Sequence, residues 1–372
     1  MISDFYFERN TIEPLTYFHK SAKNAIINHL VDDNYQIALV GIPISKNSYN
    51  NAGCRLAPDE VRKYLYALNF SFNNLKITDL GNIKEGIEIR DSYSAVRLVT
   101  EELLENHILP IFIGGSQDFT FPIFEALRRF QSKINVSAID SRLDLGVDIN
   151  DFNAHAYWRR VMSTGALAQL DIVGTQAYLL DNDQLREMSV INYENLRLGA
   201  ARARIVNTEV IFRGSDFILV DMGAVRQNDN PAYPEPMPNG FLGEELCQMM
   251  RYAGLSDNLK LIGFFEMNPE FDQKGQSAAL MAQAIWYLLD GLDNRFHDYP
   301  LKNIDEYEKI IVEQTFSRTH EMVFYRNSIN GRYWAKIPRS DGREDIIPCS
   351  YDDFLDAKKD FIPHVWERFF MK

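Results

Sequence analysis

Short uninterrupted apolar runs alternate along this chain with stretches whose apolar positions recur at helical spacing. Residues 36–43 are apolar with almost no polar break, the pattern of a strand buried on both faces. Residues 57–65 follow, with Pro58, Asp59 and Glu60 in the first turn of a predicted helix. The alternation continues. Strands are predicted over 76–81, 108–115, 134–140, 170–174, 190–193, 217–221 and 259–266. Helices are predicted over 93–106, 121–130, 155–162, 199–206, 244–253 and 277–292. Strands of this kind separated by helices predict an α/β protein: a parallel sheet covered on both sides, with its chemistry at the carboxyl ends of the strands. Gly114, Gly115, Asp140, Asp221 and Glu266 fall at those ends.

The pattern changes after about residue 300. Residues 322–326 and 332–337 flank the turn-forming segment Asn327, Ser328, Ile329, Asn330 and Gly331, which predicts a β-hairpin. Ten aromatic residues lie between Met322 and Lys372, a higher density than the 12% of the whole chain. Two units are therefore expected: an α/β domain over 1–300, and an appendage over 301–372 packed on it. A protein partner is the alternative target for those rings.

Composition narrows the class. Hydrophobic residues make up 46% and charged residues 24%, as in an ordinary globular protein. A net charge of −13 argues against general nucleic-acid binding, because an acidic surface repels a phosphate backbone. Cys54, Cys247 and Cys349 form no CxxC pair, so neither a disulfide framework nor a zinc-finger site is predicted. The N-terminus lacks a basic region followed by an apolar run. The longest apolar stretch, 278–289, contains Gln283 and is too short to span a bilayer. A cytoplasmic protein without membrane insertion is expected.

Five segments carry candidate chemistry. The first is Gly41, Ile42 and Pro43, with Gly53, Pro58 and Arg62 behind it. The second runs from Pro110 to Asp118 through Gly114, Gly115, Ser116 and Gln117. The third holds Asp140, Arg142 and Asp144. The fourth is Asp221, Met222 and Gly223, followed by Asp229, Asn230, Pro231 and residues 236–243. The fifth runs from Phe265 through Glu266 to Asp272. Gly114 and Gly115 lack both G-x-G-x-x-G and GK[ST] spacing, so they read as a tight turn rather than a phosphate cradle.

In order and spacing these segments, over roughly residues 35–295, resemble the ureohydrolases: arginase, agmatinase and formimidoylglutamase. The resemblance implies a three-layer αβα fold with a parallel eight-stranded sheet. It also implies two manganese ions, whose bridging hydroxide cleaves a guanidinium or formimino group. The family's ligands, two His and four Asp, correspond to positions 117, 140, 142, 144, 221 and 223. Here those positions hold Gln117, Asp140, Arg142, Asp144, Asp221 and Gly223. Only the three aspartates are kept. The seven histidines (His19, His29, His107, His155, His297, His320 and His364) all lie elsewhere. Glu266 matches the family's substrate-binding glutamate, and His155 lies in the loop where several members carry an assisting histidine.

Charge balance makes these departures coherent. Buried carboxylates without cations are costly, and a guanidinium with five donors lowers that cost. The expectation is that Arg142 points where a metal once sat and bridges Asp140 or Asp221. On that reading no metal cofactor is expected. The chain is then a pseudoenzyme: a binding or assembly module, recognising a small cationic ligand or a protein partner, and forming homo-oligomers as relatives often do. The alternative is an active C–N hydrolase of linear amidines, with one manganese ion on Asp140, Asp144 and Asp221 or a rearranged site.

Overall fold

The structure, a computed structural model, describes residues 4–8, 10–13, 26–27, 35–148, 150–298, 304–314, 320–339 and 342–370. His19 and His29 lie outside the described residues. Eight strands form a continuous parallel sheet. They are β3 (Ile37–Ile42), β4 (Ile77–Ile83), β5 (Leu109–Gly114), β6 (Ile134–Ile139), β7 (Leu167–Thr175), β8 (Asn192–Arg197), β9 (Phe217–Asp221) and β10 (Leu261–Phe265). Their order is β4-β3-β5-β10-β9-β6-β7-β8. Two short strands, β1 (Phe7–Glu8) and β2 (Ile26–Ile27), both pair with β4, the first antiparallel and the second parallel.

Helices cover both faces, as the apolar-through strands require. Ala57–Leu65, Gly243–Gly254 and Gln276–Asp293 bury their apolar stripes in one core. Ile89–Glu105, Thr120–Arg128 and Trp158–Ser163 contribute to the other. Central strands match the sequence reading closely. The edge strand β8 does not: it begins at Asn192 and runs to Arg197, beyond the predicted 190–193. Its six residues are polar-rich and half-exposed or exposed, so no continuous apolar run marked it. The predicted helix over 199–206 is two helices, Leu198–Ala203 and Asn207–Arg213.

The C-terminal region is larger than the predicted hairpin. The hairpin is the middle pair of a four-stranded antiparallel sheet, β11 (Glu308–Gln314), β12 (His320–Arg326), β13 (Tyr333–Pro338) and β14 (Glu344–Cys349). Helices Tyr351–Lys358 and His364–Phe370 follow. Much of the aromatic content is spent internally: Phe324, Tyr333, Phe354 and Trp366 share a core with Met322, Ile337 and Cys349. Tyr333 stacks on Phe354 at 5.2 Å between ring centres.

Arginines join this unit to the main sheet. Arg213, fully buried, donates to the carbonyls of Tyr333 (3.0 Å) and Cys349 (3.2 Å) and lies over the Trp334 ring. Arg332 pairs with Glu209 and Asp298. Arg368 pairs with Asp171, in the middle of β7, and with Glu194 on β8. Asp171 is 1% exposed, so its charge depends on that guanidinium and on Gln169. Arg368→Ala should therefore cost about 3–5 kcal/mol, the usual penalty for stranding one partner of a buried pair. Urea unfolding measures it; a loss below about 1 kcal/mol, the level of an exposed pair, would mean the C-terminal helix is not held by this contact.

Candidate active site

Strand register assembles the site. Val220 on β9 is level with Ile139 on β6, so Asp221 and Asp140 leave neighbouring strands side by side. Phe265 on β10 is level with Asp221, which sets Glu266 next in line. The Glu266 amide then donates to the Gly115 carbonyl at 3.0 Å, tying in the turn that carries Gln117. Asp144 returns from the loop after β6, where its carbonyl accepts from Trp158 N (3.3 Å).

Asp140, Asp144 and Asp221 each offer a carboxylate oxygen within 4.8 Å of the others. All three are 1% exposed. One oxygen of Asp140 accepts from the Arg142 amide (3.0 Å), and one of Asp221 accepts from the Gly223 amide (2.6 Å). Neither oxygen of Asp144 meets a donor among the described residues. Burial raises the pKa of each group. For Asp144 the charges of Asp140 and Asp221 add to it, and for Asp221 those of Asp140 and Glu266 do. Two unit charges at about 4 Å repel by about 4 kcal/mol at an effective dielectric of about 20, so the set favours a bound cation or retained protons.

Gln117 lies against this cluster. Its Nε2 donates to the Tyr157 hydroxyl at 2.7 Å and sits 3.5 Å from Asp140 Oδ2. Its Oε1 is buried and has no donor among the described residues. Glu266 has left-handed backbone, φ 65°, and both its oxygens are used. Oε1 accepts from the Gln117 amide (2.7 Å) and Oε2 from Asn51 Nδ2 (2.8 Å), while Asn51 is itself held by Asn268 (2.8 Å). Burial pushes its pKa up to about 7.

The other side of the site overturns the expected role of Arg142. Its guanidinium does not bridge Asp140 or Asp221. It reaches Glu235 instead (2.5 Å), its one ion pair among the described residues. Only its backbone amide contacts Asp140. The half-exposed Glu235 keeps solvent access that the trio lacks, so this pair forms without stripping both charges of water. At Gly223 the missing side chain is replaced by a ring. A Cβ there would lie 2.5 Å from Tyr233 Cζ and 2.8 Å from its hydroxyl oxygen. Tyr233 is 3% exposed. His155 packs against Tyr49, the rings 4.7 Å apart and tilted by 32°. Burial, then the Arg142 charge, lower its pKa to about 4, which leaves it neutral at pH 7.

Asn51, Tyr157, Tyr233 and Glu235 were not singled out in the sequence. A usable signal existed only for Tyr233: a glycine at a position where the family resemblance expects a side chain asks what fills the space. The two-ion arrangement implied by the resemblance does not fit these residues. Both imidazoles are absent, Arg142 is drawn away to Glu235, and the volume a side chain at 223 would take belongs to Tyr233.

The raised pKa of Glu266 has a consequence for stability. Between its ordinary 4.5 and its native value of about 7, the native state holds more protons than the unfolded chain. Its stabilisation is thus complete below 4.5 and is lost as pH rises towards 7. In chelator-treated protein the melting temperature should fall across that window, and Glu266→Gln should flatten the fall. A slope unchanged by Glu266→Gln would contradict the assignment.

Comparison with known proteins agrees with this architecture. Residues 35–290 match the profile of the arginase family. A formimidoylglutamase of Halalkalibacterium halodurans is 25% identical over 285 residues, covering 68% of this chain and 86% of that protein. A guanidinopropionase of Pseudomonas aeruginosa is 26% identical over 276 residues, with the same two coverages, 68% and 86%. The solved formimidoylglutamase of Bacillus subtilis superposes with a TM-score of 0.70 at 20% identity, over 78% of this chain and 97% of its own. A Trypanosoma cruzi formiminoglutamase with Mn2+2 gives 0.69 at 18%, over 74% and 99%. A sheet whose strand ends gather the three aspartates and Glu266, together with a profile match spanning most of the chain, places this protein in the arginase family.

Proposed function

We propose that this chain is an arginase-family protein that has given up two-metal hydrolysis and works as a binding or assembly module. The observation that carries the reading is the Tyr233 ring over Gly223, with Arg142 turned to Glu235 beside it. Two-metal hydrolysis needs a water held between cations about 3.5–4 Å apart, which lowers its pKa and steadies the developing charge. Here one end of that span is protein. His155 packs against Tyr49 rather than being hydrogen-bonded within the aspartate cluster, and its lowered pKa of about 4 makes it a weak proton acceptor at neutral pH. Glu266 keeps both oxygens in contact with Asn51 and Gln117, so its first duty in this chain is to hold the turn.

The relatives' names supply the test compounds. Formimidoylglutamate, guanidinopropionate, arginine and agmatine, each with excess manganese, should release neither formamide nor urea. Turnover above about 1 s⁻¹, an ordinary enzyme rate, would overturn the proposal. It would instead favour a C–N hydrolase with one manganese ion on Asp140, Asp144 and Asp221.

A rebuilding series separates the two halves of the argument. Gln117→His, Arg142→His and Gly223→Asp together restore the family's donor types but collide with Tyr233. Manganese binding at a second position should appear only when Tyr233→Ala is added. Two ions already bound by the triple variant would show that the ring is no obstacle.

A further inference from the structure

We infer that the cleft between the C-terminal sheet and the main domain is a docking groove for a protein partner: an extended, basic segment that pairs with the free edge of β14 as an added strand. The inference does not depend on the loss of hydrolysis, because the cleft lies at the other end of the parallel sheet. Lys133 and Gly214, just ahead of β6 and β9, line it, whereas the aspartate cluster stands at the carboxyl ends of those strands. Its volume is about 720 Å³.

Three observations carry it. The first is the edge itself. Among the described residues β14 pairs with β13 alone and ends its sheet on that side. Five consecutive residues, 344–348, line the cleft. A strand seen face-on shows every second residue, so an unbroken run means that the backbone edge faces the opening. Across the cleft β8 shows only Asn192, Glu194 and Leu196, one face. The second observation is what the edge offers. Residues of an antiparallel pair alternate between those that bond across the ladder and those whose backbone groups turn outward. Arg339 N donates to the Arg343 carbonyl at 2.7 Å, so Ile337 and Asp345, two further on, also bond across, and Glu344, Ile346 and Pro348 turn outward. The prolines agree: Pro338 and Pro348 both occupy outward positions, where a missing N–H costs the ladder nothing. Ile346 thus presents an N–H and a C=O to the cleft, and neither has a backbone partner among the described residues. Such an edge is a template for another strand.

The third observation is charge. Six carboxylates line the cleft against three cationic side chains. Most are already paired: Glu194 with Arg368, Glu344 with Lys336, Asp345 with Arg339 and Asp352 with Arg204. Asp356, half-buried, has no ion pair for its carboxylate among the described residues. On β7, Gln169 is 9% exposed; its Nε2 is committed to Asp171 (2.6 Å), and its Oε1 has no donor among the described residues. These free acceptors call for donors, which lysine or arginine side chains of the added strand supply. The same acids, on a chain of net charge −13, repel a second copy of β14, so the occupant is a basic segment of another protein.

The test uses the full chain and a fluorescein-labelled peptide, Lys-Val-Lys-Val-Lys-Val, followed by anisotropy at low salt. A Kd below about 100 μM is expected, and the Glu-Val counterpart should not bind. Two further peptides carry N-methyl groups on alternate residues, one on every lysine and one on every valine. One of them should bind about tenfold more weakly and the other almost as well, because only one side of an added strand hydrogen-bonds to β14. Ile346→Pro removes the outward amide without touching the ladder; it should weaken binding about tenfold with an unchanged melting temperature. Should that variant misfold, the methylated peptides still decide on the native chain. Asp356→Lys should weaken binding and lessen its salt dependence. No binding at millimolar peptide would overturn the inference, as would two methylated forms that bind as tightly as the plain peptide. Displacement of the peptide by spermine at equal concentration would overturn it in favour of a small polycation, and a chain dimer that Ile346→Pro dissolves would overturn it in favour of a second copy. None of these outcomes bears on turnover, which the assay above decides separately.

Discussion

Three carboxyl groups are held within a few ångströms of one another in a place water scarcely reaches, two of them put there by the sheet and the third by the loop after β6. Asp140 and Asp221 leave adjacent strands in register, and Glu266 follows one strand over. Nothing about that arrangement is stable on its own, since burial and mutual repulsion both disfavour ionisation. The hydrogen bonds around the cluster reflect this constraint. Backbone amides of Arg142 and Gly223 neutralise part of the charge, Asn51 and the Gln117 amide take Glu266, and Asp144 is left over.

The departures from the family pattern are not scattered. Arg142 and Gly223 lie together at one end, where Tyr233 and Glu235 close the space with a ring and a surface ion pair. Gln117 and the three aspartates make up the rest, with Gln117 Nε2 3.5 Å from Asp140 Oδ2 and neither oxygen of Asp144 meeting a donor among the described residues. Loss at one end with retention at the other is a different outcome from uniform decay.

How far the sequence carried this depends on what each residue needs from its neighbours. The central strands were legible because a run apolar on both faces has one comfortable place, the middle of a covered sheet. The coming together of Asp140, Asp144 and Asp221 was legible through the family resemblance; the apolar runs alone fix Asp140 and Asp221 at strand ends and say nothing of Asp144 in its loop. Arg142 was misjudged for a simple reason. Its charge was weighed against the carboxylates of the expected metal site, while Glu235, in another loop, offered a partner that stays partly hydrated. Tyr233 was missed because an aromatic in a proline-flanked loop carries no periodicity to read, and only the bare glycine at 223 hinted that another residue fills that space. The C-terminal sheet was half seen: the turn of the middle hairpin is plain in the sequence, but β11 and β14 are partly exposed strands bounded by charged residues, with no long apolar run to mark them.

The central claim is that protein atoms, the Tyr233 ring above all, stand where the two-ion arrangement would need space. Anomalous diffraction from crystals soaked in manganese reads it most directly. The account predicts no pair of peaks among Asp140, Asp144 and Asp221, with the Tyr233 ring in place above Gly223. Two peaks about 3.5 Å apart, with that ring displaced, would contradict it.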